Sequence, residues 1–202
     1  MATLTFPSIT PTSITWSLVP NTRVFRSPLD GSVQTNEIAG ARWAATMSFN
    51  NLSEADSRTM ASFLTQLRGA SGRFYLHHFG RGTPQGTATG VPVINGASQA
   101  GNSVVTDGWS NSVTDIVKAG DYLGFNDELH MVTANANSDG SGNATITIEP
   151  PMRTSPADDD TITVTDPTCI MRLTDDRQLN QAMSSQMITL GNFTINCIES
   201  FI

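Results

Sequence analysis

Apolar and polar positions along this chain are spaced mostly by two, and once, clearly, by three and four. In "ARWAATMSFN" the residues Trp43, Ala45, Met47 and Phe49 fall on every second position, the period of a strand with one buried face. In "NLSEADSRTMASFLTQLRGASG" the spacing changes, and Met60, Phe63, Leu64 and Leu67 recur at helical intervals. Ser53 stands where the first free N–H groups of a helix need an acceptor. Glu54 and Asp56 place negative charge at the positive end of its dipole, and Gly69 marks the stop. One helix is predicted over about 54–68. Alternation returns in "GRFYLHHF", with Phe74, Leu76 and then His78 on one face. Upstream, Leu4, Phe6, Ile14, Trp16, Leu18, Val24 and Phe25 are candidate core positions in short strands interrupted by Pro7, Pro11 and Pro20. "SPLDGSVQT" supplies a turn, with Pro28 and Gly31 set around Asp30.

Near residue 80 the composition shifts. "GRGTPQGTATG" reads as a linker. The runs "VPVING", "SVVTDGW", "DYLGF", "ELHMVTA", "ATITIEP" and "TITVTD" follow at roughly the 8–12-residue spacing of a small sandwich or barrel. They end at "PTCIMRL". In the closing "NFTINCIES", Phe193, Ile195, Cys197 and Glu199 take one face, and a final hairpin is predicted. Residues 1–82 alone make a thin core, because small domains bury a small share of their surface. The predicted architecture is therefore mainly β. Residues 1–82 and 172–202 form a discontinuous β-sandwich with one flanking helix, and residues 83–171 form an inserted β-barrel module. Excising the module is expected to leave the other core intact.

Composition narrows the function. The chain of 202 residues carries a net charge of −7, with a single lysine, Lys118, and ten scattered arginines, which does not describe a protein that grips nucleic acid. No leader peptide or membrane-spanning run is read from it. Cys169 and Cys197 form no metal pattern, and two buried thiols are expected.

The candidates for chemistry are weak. His77 and His78 are adjacent on a strand, so they point to opposite faces and do not chelate one ion. His130 is expected on a solvent-facing strand position. "NANSDGSGN" has Ile146 where a calcium loop beginning at Asn135 needs its twelfth, acidic ligand, so a hairpin turn is favoured. "ADDDT" reads as a solvated loop. Asp115, Asp121, Asp127 and Glu128 include the residue types of a glycoside hydrolase, but nothing in the spacing brings two of them together. No phosphate or dinucleotide motif is present, and no cofactor or metal is expected.

Two longer stretches carry a resemblance. "FRSPLDGSVQTNEIAGARWAATMSFNNLSEADSRTMASFLTQLRGASGRFYL" resembles the start of distal tail proteins of long-tailed bacteriophages, through "SPLDGSVQT", the Arg42-Trp43 pair ahead of a strand, the helix and the aromatic strand. "IVKAGDYLGFNDELHMVTANANSDGSGNATITIEPPMR" is similar to an accessory β module of phage tail-tip proteins, with its Gly-Asp pair, DGxG-type turn and Pro-Pro-x-Arg exit. The resemblance implies a tail-tube-like sandwich that assembles as a ring, usually of six copies, between the tail tube protein and the tip hub. DNA would pass through it without specific binding. The protein would be made in the host cytoplasm and located in the virion tail. Arg26, Arg42 and Arg73 are the expected contacts between copies, since guanidinium forks suit carboxylates and strand-edge carbonyls. An alternative from another class is a carbohydrate-binding module for host attachment, with Trp109 and Tyr122 stacking on sugar rings.

Overall fold

The computed structural model describes residues 3–178 and 191–201. The chain is mainly β, with a single α-helix among the described residues. In chain order the elements are β1 (Leu4–Thr5), β2 (Ser13–Val19), β3 (Thr22–Arg26), β4 (Val33–Glu37), β5 (Arg42–Leu52), α1 (Glu54–Leu67) and β6 (Phe74–His77). There follow β7 (Gly90–Ile94), β8 (Gly101–Trp109), β9 (Tyr122–Phe125), β10 (Glu128–Val132), β11 (Ala144–Met152), β12 (Thr168–Leu173) and β13 (Gly191–Glu199). They build a six-stranded sheet in the order β1-β6-β12-β13-β5-β2 and a five-stranded sheet in the order β7-β8-β11-β10-β9. The pair β3-β4 stands by itself.

The long strands β5 and β13 form the middle of the six-stranded sheet and pair antiparallel from Ala44 opposite Ile198 to Leu52 opposite Gly191. Their alternation is the one in the sequence: Trp43, Ala45, Met47, Phe49, Phe193, Ile195 and Cys197 are all buried on one face. Helix α1 closes over that face. The Ser53 hydroxyl accepts from the Asp56 N–H at 3.2 Å, Arg68 turns left-handed at φ 53°, and Met60, Phe63, Leu64 and Leu67 are buried. Phe63 meets Phe6 and Phe74 edge to face at 5.2 and 5.5 Å. Gly69 is required by close approach, because a Cβ there would lie 2.4 Å from the Asp176 carboxylate that accepts the next N–H, from Ala70. We predict that Leu64→Ala costs about 2–5 kcal/mol in denaturant unfolding, since the site is fully enclosed. A loss under about 0.5 kcal/mol would contradict that packing.

The five-stranded sheet encloses a second apolar cluster that includes Ile94, Val104, Ile116, Leu123, Val132, Ile146 and Ile148. The segment "TITVTD" forms no strand. Its isolated bridges join Val93 of edge strand β7 to Thr161 and Gly124 of edge strand β9 to Thr163, so it stitches the two edges of the sheet together. Asp121 anchors the incoming linker by accepting from the N–H groups of Gln85, Gly86 and Lys118 at 2.7, 3.0 and 2.8 Å.

Four expectations need correction. The boundary at 171/172 cuts β12, whose Thr168–Met171 stretch pairs with Phe74–His77 of β6 inside the six-stranded sheet. The two cores also touch, because Tyr122 and Leu129 belong to the cluster of the six-stranded sheet while their neighbours Leu123 and Val132 belong to the other. Excision of the module therefore uncovers Trp43, whose indole N–H donates to the Leu129 carbonyl at 2.7 Å. His130 is fully buried rather than solvent-facing. Strand β10 is covered on both sides, so its alternation separates two cores instead of core from water. Last, Val24 and Phe25 are exposed, at 63% and 57%.

Candidate assembly site

The exposed pair β3-β4 is an arm. All ten of its strand residues are exposed, and it hydrogen-bonds to neither of the larger sheets. Its register runs from Thr22 opposite Glu37 to Arg26 opposite Val33. The tip is fixed by "SPLDGS" chemistry. Ser27 N–H donates to Ser32 O at 2.8 Å, and the Asp30 carboxylate accepts from the Ser32 N–H and hydroxyl at 3.0 and 2.8 Å. Hydrogen bonds from Ser27 and Ser32 hold the Asp30 carboxyl down to about 2, so it is ionised at any physiological pH. Val24 and Val33 lie on one face of the arm, Phe25 on the other, and Leu29 at the tip is 96% exposed. Isolated two-stranded hairpins are marginal in water, and this one exposes four large apolar side chains, Val24, Phe25, Leu29 and Val33.

At the arm's root lies an open cleft of about 680 Å³, bounded by residues 19–21 and 37–42 on one side and by Pro150–Arg153 and Phe201 on the other. The Phe201 ring is sandwiched between two guanidiniums, with Arg42 at 4.2 Å and Arg153 at 4.1 Å from its centroid. Behind it is a buried charged junction between the two cores. Arg153 Nη2 donates to Glu199 Oε1 at 2.6 Å, and its Nε stands 3.8 Å from Glu128 Oε1. Glu199 Oε2 accepts from the Trp43 N–H at 3.0 Å, and Glu128 accepts from the N–H groups of Arg153 and Thr154, both at 3.0 Å. Burial pushes the Glu199 carboxyl up, against the pull of Arg153. His130 sits beside this junction with Nδ1 2.8 Å from the Pro150 carbonyl and its ring stacked on Phe125. Burial pushes its imidazole down to about 4, so it is neutral at pH 7, with Nδ1 carrying the proton and Nε2 left without a donor.

The residues singled out from the sequence divide. Arg26 is exposed near the arm's tip and Arg42 lines the root cleft. Arg73 is half-buried, and its Nη1 donates to the carbonyls of Ala70, Ser71 and Gly72, so it caps its own chain after the helix. Trp109 and Tyr122 do not stack on sugars, because they are only 3% and 5% exposed. The Trp109 indole N–H donates to Thr106 Oγ1 at 2.8 Å, and Tyr122 lies edge to face on Trp43 at 5.5 Å and stacks on His78. The carboxylates serve separate structural ends: Asp121 holds the linker, Glu128 the junction, Asp115 pairs with Lys118 at 3.6 Å, and Asp127 is exposed. Asp139 organises the glycine-rich turn by accepting from the N–H groups of Ser141 and Asn143, both at 2.8 Å. Both cysteines are buried and free. Among the described residues no helix is long and apolar enough to cross a membrane. The junction itself was missed in the sequence. Its traces there were Glu199 on the apolar face of β13, Glu128 among the candidate carboxylates and the arginine of the Pro-Pro-x-Arg exit, and no spacing joined the three.

No family model and no curated protein matches this sequence.

Proposed function

We propose that the chain is a structural ring subunit of the tail tip of a long-tailed bacteriophage, joining the tail tube to the hub and leaving a passage for DNA. The observation that carries this reading is the arm, which presents apolar side chains on both faces and at its tip. A chain that exposes such an element is made to be completed by a partner, and a ring of identical copies completes every arm in the same way. The resemblance of the 25–76 stretch to distal tail proteins gives that partner a place. We assign residues 1–82 and 168–202 to the ring body and residues 83–167 to a module carried on it. The acidic balance suits a passage whose walls do not hold phosphates. The buried positions of Trp109 and Tyr122 remove the stacking residues of the carbohydrate-binding alternative. A mass measurement over a range of protein concentrations tests the proposal. A closed species of fixed copy number is expected, and a purely monomeric chain, also in the presence of tail tube protein, would overturn it.

A further inference from the structure

We infer that the arm tip of one copy seats in the arm-root cleft of the next, with Leu29 entering the apolar wall of Val19, Ile38 and Met152 and Asp30 meeting Arg42. The inference rests on the ring reading and names the surface by which copies join.

Three observations select a second copy of this chain as the occupant. The first is charge. The end of the arm carries Asp30 and Arg26, and the cleft offers Arg42 and Glu37, so each arm charge finds an opposite one. The Arg42 guanidinium uses its face on the Phe201 ring. Among the described residues its N–H groups make no hydrogen bond or ion pair, which leaves their fork for a carboxylate. Asp30 is ionised and exposed, and a carboxylate has lone pairs to offer beyond those that Ser27 and Ser32 use in the turn. The second is shape. The tip presents one large apolar side chain, Leu29, and the cleft is an open recess of about 680 Å³ with largely apolar walls. The third is reach. Five-residue strands at about 3.3 Å per residue, with the turn, carry the tip roughly 20 Å from the root. The arm runs out from its own cleft, so its tip fills only a neighbour's. Donor and acceptor are different surfaces of one chain, so the contact is head to tail, the kind that closes a ring.

Two variants test this by sedimentation. Leu29→Asp removes the tip's apolar group at a position 96% exposed, so folding is unaffected. Arg42→Glu reverses the cleft. Each is expected to weaken self-association about tenfold or more relative to the unaltered chain. Mixed in equal amounts they should give dimers and nothing larger, because one intact tip and one intact cleft remain. Asp30→Asn, which keeps an acceptor for the turn, should weaken association less than Leu29→Asp and make it less sensitive to salt. If the unaltered chain forms rings and both variants assemble as it does, the docking is wrong and the ring reading stands. If the mixture stays monomeric while the unaltered chain assembles, the head-to-tail contact is wrong. An unaltered chain that stays monomeric overturns the inference outright, and incorporation into tail tips then decides the ring reading separately.

Discussion

Arg153→Ala should destabilise the protein by about 3–5 kcal/mol, the cost of leaving a buried charge without its partner. The guanidinium is the cation between two buried carboxylates. Glu199 is 1% exposed and its Oε1 receives Arg153 at 2.6 Å, while Glu128 is held against the same side chain. Among the described residues, removing Arg153 leaves Glu199 only the Trp43 N–H. The effect should depend on pH in a definite direction. Glu199 already has a raised carboxyl pKa through burial, and loss of Arg153 raises it further. A raised folded-state pKa means the group's stability is present at low pH and lost as pH rises through that pKa. The penalty of Arg153→Ala should therefore be larger at pH 7 than at pH 4, and Glu199→Gln in the Arg153→Ala background should recover part of it. Denaturant midpoints of the four chains in that cycle measure the coupling. A loss under about 1 kcal/mol would mean that water reaches the junction and the two cores are not joined there.

His130 makes the second large expectation. Its imidazole is fully buried beside Phe125 and is depressed from 6.5 to about 4, first by burial and further by Arg153, against the hydrogen bond to Pro150. A depressed folded-state pKa contributes stability that is full above 6.5 and is lost as pH falls toward 4. At about 1.4 kcal/mol per unit this is at most about 3.5 kcal/mol, and less to the extent that the Glu128 carboxylate, 3.5 Å from Nε2, favours the imidazolium. Glu199 opposes this at the acid end, because its raised carboxyl takes up a proton in the folded state first. His130→Gln, which keeps a donor for the Pro150 carbonyl, should be less stable than the unaltered chain at pH 7 yet lose less on acidification. Thermal unfolding at pH 7, 5.5 and 4 measures the difference. Parallel pH profiles for the two chains would show that His130 titrates as it would in water.

These expectations concern groups whose environment was illegible in the sequence, and the reason is geometric. Helix α1 and strand β5 were legible because each faces one core and water, so a single period and a cap describe them, and the Asp30 turn because its bonds are local and need no core. Strand β10 faces two cores. Leu129 points to one and Val132 to the other, and an alternation rule that assumes water on one side puts His130 outside. The same assumption made Trp109 and Tyr122 available as stacking residues. Val24 and Phe25 failed the other way. Their apolar character signals burial, and only the topology shows that the arm has left both sheets. The edge of β12 was misplaced because its apolar run "TCIMRL" continues the module's spacing, while its pairing partners β6 and β13 lie far away in the chain. Of the assembly site, Arg26, Arg42 and the turn were named from the sequence. The cleft that brings Arg42, Met152 and Phe201 together depends on contacts over more than 100 residues.

The central claim is that these arms join copies into a ring around a passage for DNA. A three-dimensional electron-microscopic reconstruction of the assembled protein tests it most directly. The account predicts a closed ring with each arm tip against the neighbouring root cleft, and a continuous lumen whose charged lining is mainly carboxylate. At physiological salt such carboxylates would act over about 8 Å, enough to keep DNA off the wall without barring its passage. A lumen lined mainly by arginine, arms that point into solvent, or an assembly with no lumen would contradict it.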